Sequence, residues 1–180
     1  DTLGQELLRQ ARAAISEALG GPPCPVPVEF PLLTQQSATF VTLTKQGQLR
    51  GCIGSLQAHR PLLEDVRANA VAAALHDPRF YPLEKEEFKQ VQVEVSLLTP
   101  PEPLTFTDEA DLLQKIVPFE DGIVISCGLH RATFLPQVWE QLPDPRLFLA
   151  HLKQKAGLPS DTPIDQFTVQ RYRVQKWKES

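Results

Sequence analysis

The sequence predicts an α+β fold, a mostly antiparallel sheet with packed helices, because β-rich and amphipathic helical runs alternate without a strict βαβ rhythm. Two pairs of β-rich runs are separated by short turns, which calls for hairpins. Apolar residues at three- and four-residue spacing bracket the first pair, which calls for helices covering one face. The chain has 180 residues, and at ~100–200 residues per domain this is one domain with at most a small appendage. No internal repeat is present.

Leu3, Leu7, Leu8, Ala11, Ala14, Ile15, Ala18 and Leu19 form one helical stripe, and Gly20-Gly21-Pro22-Pro23 stops it. Pro22 to Pro31 reads as an extended, proline-punctuated connection. Ala38 to Thr44 is a strand, 45–48 a turn, and Leu49 to Leu56 the returning strand. Pro61 opens a helix at its first position, with Leu62, Leu63, Val66, Ala70, Val71, Ala74 and Leu75 on its buried stripe, and His76-Asp77-Pro78 ends it. A short helical turn is expected within Leu83 to Lys89, and an alternating strand over Val91 to Leu97 that Pro100, Pro101 and Pro103 close. Asp108 to Ile116 reads as a helix, Gly122 to Cys127 and Arg131 to Leu135 as a second hairpin. Pro136 to Gln141 and Arg146 to Ala156 read as helices, and Phe167 to Trp177 as a single final strand.

Composition excludes several functions. A formal charge of −4 opposes a protein built to grip phosphate backbone, so nucleic acid is not an expected partner. No apolar run approaches the roughly 20 residues a bilayer requires, and Asp1 to Gln10 lacks the pattern of a secretory signal. A soluble, cytoplasmic protein is expected. Cys24, Cys52 and Cys127 are odd in number and far apart, which supports neither a disulfide framework nor a CxxC pair. HxxxH is absent as well, and neither metal nor cofactor is expected. GxGxxG, GxxxxGK[ST], GxSxG and HExxH are also missing, which removes the dinucleotide, P-loop, serine-hydrolase and zincin readings.

The most informative stretch is Leu49-Arg50-Gly51-Cys52-Ile53-Gly54. A buried strand has little use for an arginine or for two glycines unless its backbone bends or is closely approached. Strand alternation puts Arg50 and Cys52 on one side, about 6.6 Å apart along the chain, so the guanidinium can turn toward the sulfur and favour the thiolate. A cysteine nucleophile needs a base, and among His59, His76, His130 and His151 the nearest in sequence are His59 and His76. Asp77 and Arg79 sit on a loop, where binding residues concentrate. Glu94 lies opposite the valines of its strand and would need Arg50 or Arg79 as a partner if covered. The candidate binding residues are therefore Arg50, Gly51, Cys52, Gly54, Asp77, Arg79 and Glu94, and the candidate catalytic ones Cys52, His59 and His76. Each has a plain structural alternative: a small core cysteine, kinking glycines, a capped turn with a surface ion pair.

LRGCIG at Leu49 to Gly54 resembles the hallmark of the AMMECR family, whose bacterial and archaeal members are called AmmeMemoRadiSam system protein A. Later blocks resemble it in order: DPRF at Asp77 to Phe80, VSLLTPPEP at Val95 to Pro103, GIVI at Gly122 to Ile125, RATFLPQV at Arg131 to Val138 and KAGL at Lys155 to Leu158. The resemblance implies one AMMECR-like domain over 1–180, an α+β fold of two unequal subdomains, and LRGCIG at a cleft between or beside them. A smaller subdomain from segments around 55–90 is expected. The resemblance supplies neither reaction nor cofactor; it associates the prokaryotic members with a Memo-like protein and a radical-SAM-like protein. Three functions remain: an accessory or regulatory protein binding a small anionic ligand or a partner segment at LRGCIG, a cysteine-dependent enzyme using Cys52 as nucleophile or redox thiol, and a nucleic-acid-linked regulator.

Overall fold

The computed structural model describes residues 2–23, 27 and 29–180, so Cys24 and part of the proline-rich connection lie outside the described residues. Helix α1 (Thr2–Ala18) ends where Gly20 takes φ +93° and Gly21 donates to the Ser16 carbonyl at 2.8 Å. Strands β1 (Ala38–Lys45) and β2 (Gln48–Gly54) form the first hairpin, turned by Gln46 and Gly47 at positive φ. Helix α2 (Leu62–Leu75) follows, with Pro61 as its extended cap rather than its first helical residue. Helix α3 (Lys85–Phe88) is one turn, and β3 (Val91–Leu98) pairs antiparallel with β1.

Strand β4 (Glu102–Pro103), helix α4 (Glu109–Lys115), strands β5 (Gly122–Cys127) and β6 (His130–Phe134), helix α5 (Pro145–Lys155), and strands β7 (Thr168–Tyr172) and β8 (Val174–Lys178) complete the chain. Asp108 and Asp144 cap α4 and α5 by accepting the Asp111 and Arg146 amides. Two sequence expectations change in detail. Pro136–Glu140 is a 3-10 turn rather than a helix, and the final strand divides at Arg173. There the Arg173 amide donates to Thr99 Oγ1 at 2.7 Å and its Nε to Asp121 Oδ1 at 2.9 Å, so the backbone leaves one sheet before entering another.

The fold is α+β with two antiparallel four-stranded sheets and five helices among the described residues. The first sheet runs β2-β1-β3-β8, the second β4-β7-β5-β6. The chain divides into a unit of Asp1–Leu98 with Gln175–Ser180 and a unit of Thr99–Val174; residues 55–90 fall inside the former. In the first unit, Val41 and Leu43 of β1 and Val93 and Val95 of β3 are fully buried with Leu62, Val66 and Ala70 of α2 and Leu7, Ala11 and Ile15 of α1. In the second, Ile123 and Ile125 bury with Leu112, Phe148 and Leu152, and Trp139 stacks on Phe148 with centroids 3.7 Å apart.

Candidate functional site

LRGCIG forms most of β2, which is the edge strand of its sheet, and this decides what its residues do. Gly51 faces Leu43 across the hairpin and lies under α2, where a Cβ would collide with the Ala73 carbonyl. Gly54 sits against the ring of its cross-strand partner Phe40, which a Cβ would also strike. The approach that both glycines permit is therefore by the chain itself.

The hairpin register shifts between Leu43 and Thr44: Leu43 pairs with Gly51 and Thr44 with Leu49, which leaves Arg50 as the extra residue of a bulge. A bulge re-aims its side chain, and Arg50 turns to Glu87 of α3 rather than to the sulfur. Its Nε donates to Glu87 Oε2 at 2.7 Å, and its Nη2 to Glu87 Oε1 at 3.0 Å and to the Tyr81 carbonyl at 2.8 Å. These hydrogen bonds hold the Glu87 carboxyl below its ordinary value against the opposing effect of burial, and the charges of Arg50 and Lys45 add to the lowering. Arg50 Nη1 is buried and has no hydrogen-bond acceptor among the described residues.

Cys52 turns its amide and carbonyl to the open edge of the sheet, away from β1. Asp77 and Arg79 meet them there: Asp77 Oδ2 accepts the Cys52 amide at 3.0 Å, while Arg79 Nη2 donates to the Cys52 carbonyl at 3.3 Å. Asp77 also takes Arg79 Nε at 3.0 Å and Nη2 at 2.7 Å. That hydrogen-bonded guanidinium holds the buried Asp77 carboxyl far below the usual carboxylate range, although desolvation pushes it up. The reciprocal bond from Asp77 raises Arg79 above its ordinary value. Arg50 and Arg79 also meet at one ring, with their guanidinium carbons 5.7 and 5.4 Å from the centroid of Phe80.

The Cys52 sulfur accepts from Thr42 Oγ1 at 3.3 Å. Thr42 stands between Cys52 and Glu94 in the register of three adjacent strands, so thiol, hydroxyl and half-buried carboxylate form one cross-strand row. Glu94 takes neither Arg50 nor Arg79, which Glu87 and Asp77 engage. His59 is exposed, with Nδ1 3.2 Å from the Gln57 carbonyl, and the exposed His76 caps α2 through its amide to Ala72. Neither histidine hydrogen-bonds the sulfur among the described residues. The structure thus gathers Arg50, Cys52, Asp77 and Arg79, sets Glu94 at the end of a row, and leaves the two histidines apart.

Sequence reasoning missed Thr42, Phe80 and Glu87 as participants, and also the buried network beyond Gly54. Fully buried Asp65 accepts Thr39 N and Oγ1 at 2.8 and 2.6 Å, and Arg60 Nε at 2.7 Å. Asn69 Nδ2 reaches the Thr39 carbonyl at 3.1 Å, and Arg60 Nη2 reaches Asn69 Oδ1 at 3.1 Å. This ties the loop after LRGCIG to β1 and α2. Its signal was a pair of polar residues four apart, Asp65 and Asn69, on the buried side of an alanine-rich helix. Among the described residues no group of three His, Cys, Asp or Glu side chains could hold a metal. No helix among them is long and apolar enough to cross a membrane.

The AMMECR1 family profile matches residues 8–177, which spans every motif quoted above. The chain belongs to the AMMECR1 family. It is 41% identical over 180 residues to a protein of Methanothermobacter thermautotrophicus, covering 98% of this chain and 94% of that one. It is 38% identical over 161 residues to protein MJ0810 of Methanocaldococcus jannaschii, covering 88% and 80%. It resembles the crystal structure of uncharacterized protein PH0010 from Pyrococcus horikoshii with a TM-score of 0.82 and 34% identity, over 100% of this chain and 93% of that one. In this AMMECR1 domain LRGCIG is a bulged edge strand held by the DPRF loop, so two of the family-like blocks meet in space.

Proposed function

We propose that this AMMECR1-family protein is an accessory or regulatory binding protein that takes an anionic group, carboxylate or phosphate, at the β2 edge through Arg50 and Arg79. One observation carries the reading: two guanidinium groups lie within 5.7 Å of the centroid of the Phe80 ring, and Arg50 Nη1 is buried without an acceptor among the described residues. A buried donor left unpaired costs about 1–3 kcal/mol, which an incoming oxyanion would relieve, and the guanidinium fork suits bidentate oxyanion recognition. Arg79 is the accessible half of the pair, with its side chain 55% exposed. The anion belongs to a small molecule or to a segment of a partner, and a Memo-like or radical-SAM-like protein is the partner that the family association suggests.

Calorimetric titration of the full chain with inorganic phosphate and with short mono- and dicarboxylates tests this. Saturable binding that Arg79→Gln weakens at least tenfold is expected. No binding by any of these anions, or equal binding by the variant, contradicts it. A second reading, Cys52 as a nucleophile or redox thiol, is favoured by the Thr42 hydroxyl at its sulfur and by Glu94 one register position beyond. Under that reading Cys52 reacts with iodoacetamide faster than Cys127, and Thr42→Val removes the difference.

A further inference from the structure

From Asp77 to Glu84 the chain has no regular secondary structure, yet it lies along the β2 edge and is fastened there by polar contacts. It supplies Asp77 to the Cys52 amide, Arg79 to the Cys52 carbonyl and the Tyr81 carbonyl to Arg50, and Glu87 follows as the carboxylate for Arg50. Its side chains give the Cys52 amide an acceptor and the Cys52 carbonyl a donor, the two needs that an added strand would meet with its backbone. Between these ties Pro78, Arg79, Tyr81, Pro82 and Glu84 are exposed, Tyr81 to 88%, while Leu83 is buried and donates its amide to Ala74. The segment is proline-punctuated and rich in carboxylates, and it meets β2 through arginines of β2 and of its own loop. Its fit is incomplete, since Arg50 Nη1 has no acceptor among the described residues.

We infer that the β2 edge is the receptor for an acidic, proline-containing peptide segment of a partner protein, and that Asp77–Glu87 occupies it in cis as an internal stand-in. The inference rests on the proposed anion site and names its ligand. The charge pattern of the stand-in defines the partner's chemistry: two carboxylate side chains, one carried on a turn for the edge amide and one on a helical turn for Arg50, joined by irregular, proline-containing backbone. A covalently tethered occupant competes at millimolar effective concentration, so the edge is closed at rest and opens only to a segment that matches Arg50 better than Glu87 does.

A fluorescein-labelled peptide of residues 77–88 tests this by anisotropy against the full chain. Glu87→Gln, which loosens the internal occupant, is expected to bind the peptide at least tenfold more tightly than the unaltered protein, and a peptide with its carboxylates replaced by amides is expected not to bind. Equal affinity for variant and unaltered protein, or affinity indifferent to the amide replacement, overturns the inference. Hydrogen exchange on the unaltered protein covers the case of a variant that does not fold: saturating peptide should raise exchange of the Arg79, Phe80, Tyr81 and Leu83 amides at least tenfold while the Cys52 amide stays protected, and unchanged exchange overturns the inference. If phosphate binds at Arg79 but the peptide binds neither form, the inference fails and the anion reading stands. If neither binds, both fail.

Discussion

At the scale of single residues, the site is set by three that the chain cannot exchange without consequence. Gly51 lies where a Cβ would strike the Ala73 carbonyl of α2, and a backbone atom cannot rotate away. Gly51→Ala is therefore expected to lose about 1–3 kcal/mol, measured as a shift in the denaturant midpoint; a neutral outcome would mean that α2 shifts freely. Asp77 is held below the usual carboxylate range chiefly by Arg79, and Glu87 is lowered chiefly by Arg50. A depressed folded-state value means that each contribution is complete above the unfolded carboxyl value and is lost as pH falls through the folded one. Asp77→Asn should cost about 1–3 kcal/mol near neutral pH, and the gap from the unaltered protein should narrow steadily below about pH 4. A gap independent of pH would contradict the ion pair. Tyr172, whose phenol is pushed up to about 12 by burial, should stay protonated in an absorbance titration carried to pH 11.

At the scale of elements, α1, α2, β1 and β3 were legible in the sequence because each buries one continuous stripe, and stripes are what periodicity reports. The bulge at Arg50 was not legible, since strict alternation is blind to an inserted residue; that insertion sends the guanidinium to Glu87 instead of Cys52. The division of the last strand was hidden for a related reason. Thr168 to Lys178 keeps β-like composition throughout, while the break comes from Asp121 and Thr99, more than fifty positions away, gripping Arg173. The candidate residues Arg50, Cys52, Asp77 and Arg79 do come together, but Asp77 and Arg79 spend their polar atoms on the strand edge and on each other. Asp121→Ala is expected to lose about 1–3 kcal/mol by stranding the Val117 amide that its carboxylate accepts. Chemical denaturation followed by circular dichroism checks it.

At the scale of the whole chain, each unit carries its own buried cluster and one of the two tryptophans. Trp139 is fully buried against Phe148, close in the core to Leu149. In a Trp177→Phe background, Leu149→Ala should lower the stability read at Trp139 by about 2–5 kcal/mol; a loss below that range would place Leu149 outside the core. Charge at this scale is also informative. Under the proposed function, a net charge of −4 leaves recognition of an anion to a local pair of arginines rather than to a basic face. The Arg50 and Arg79 side-chain Nε–H resonances report on that pair most directly, followed in a proton–nitrogen correlation spectrum while phosphate, then the peptide of residues 77–88, is titrated into the full chain. Saturable shifts of both resonances together with the Cys52 amide are the predicted result. Shifts confined to other residues, with those three unmoved, would contradict the assignment of the β2 edge as the binding site.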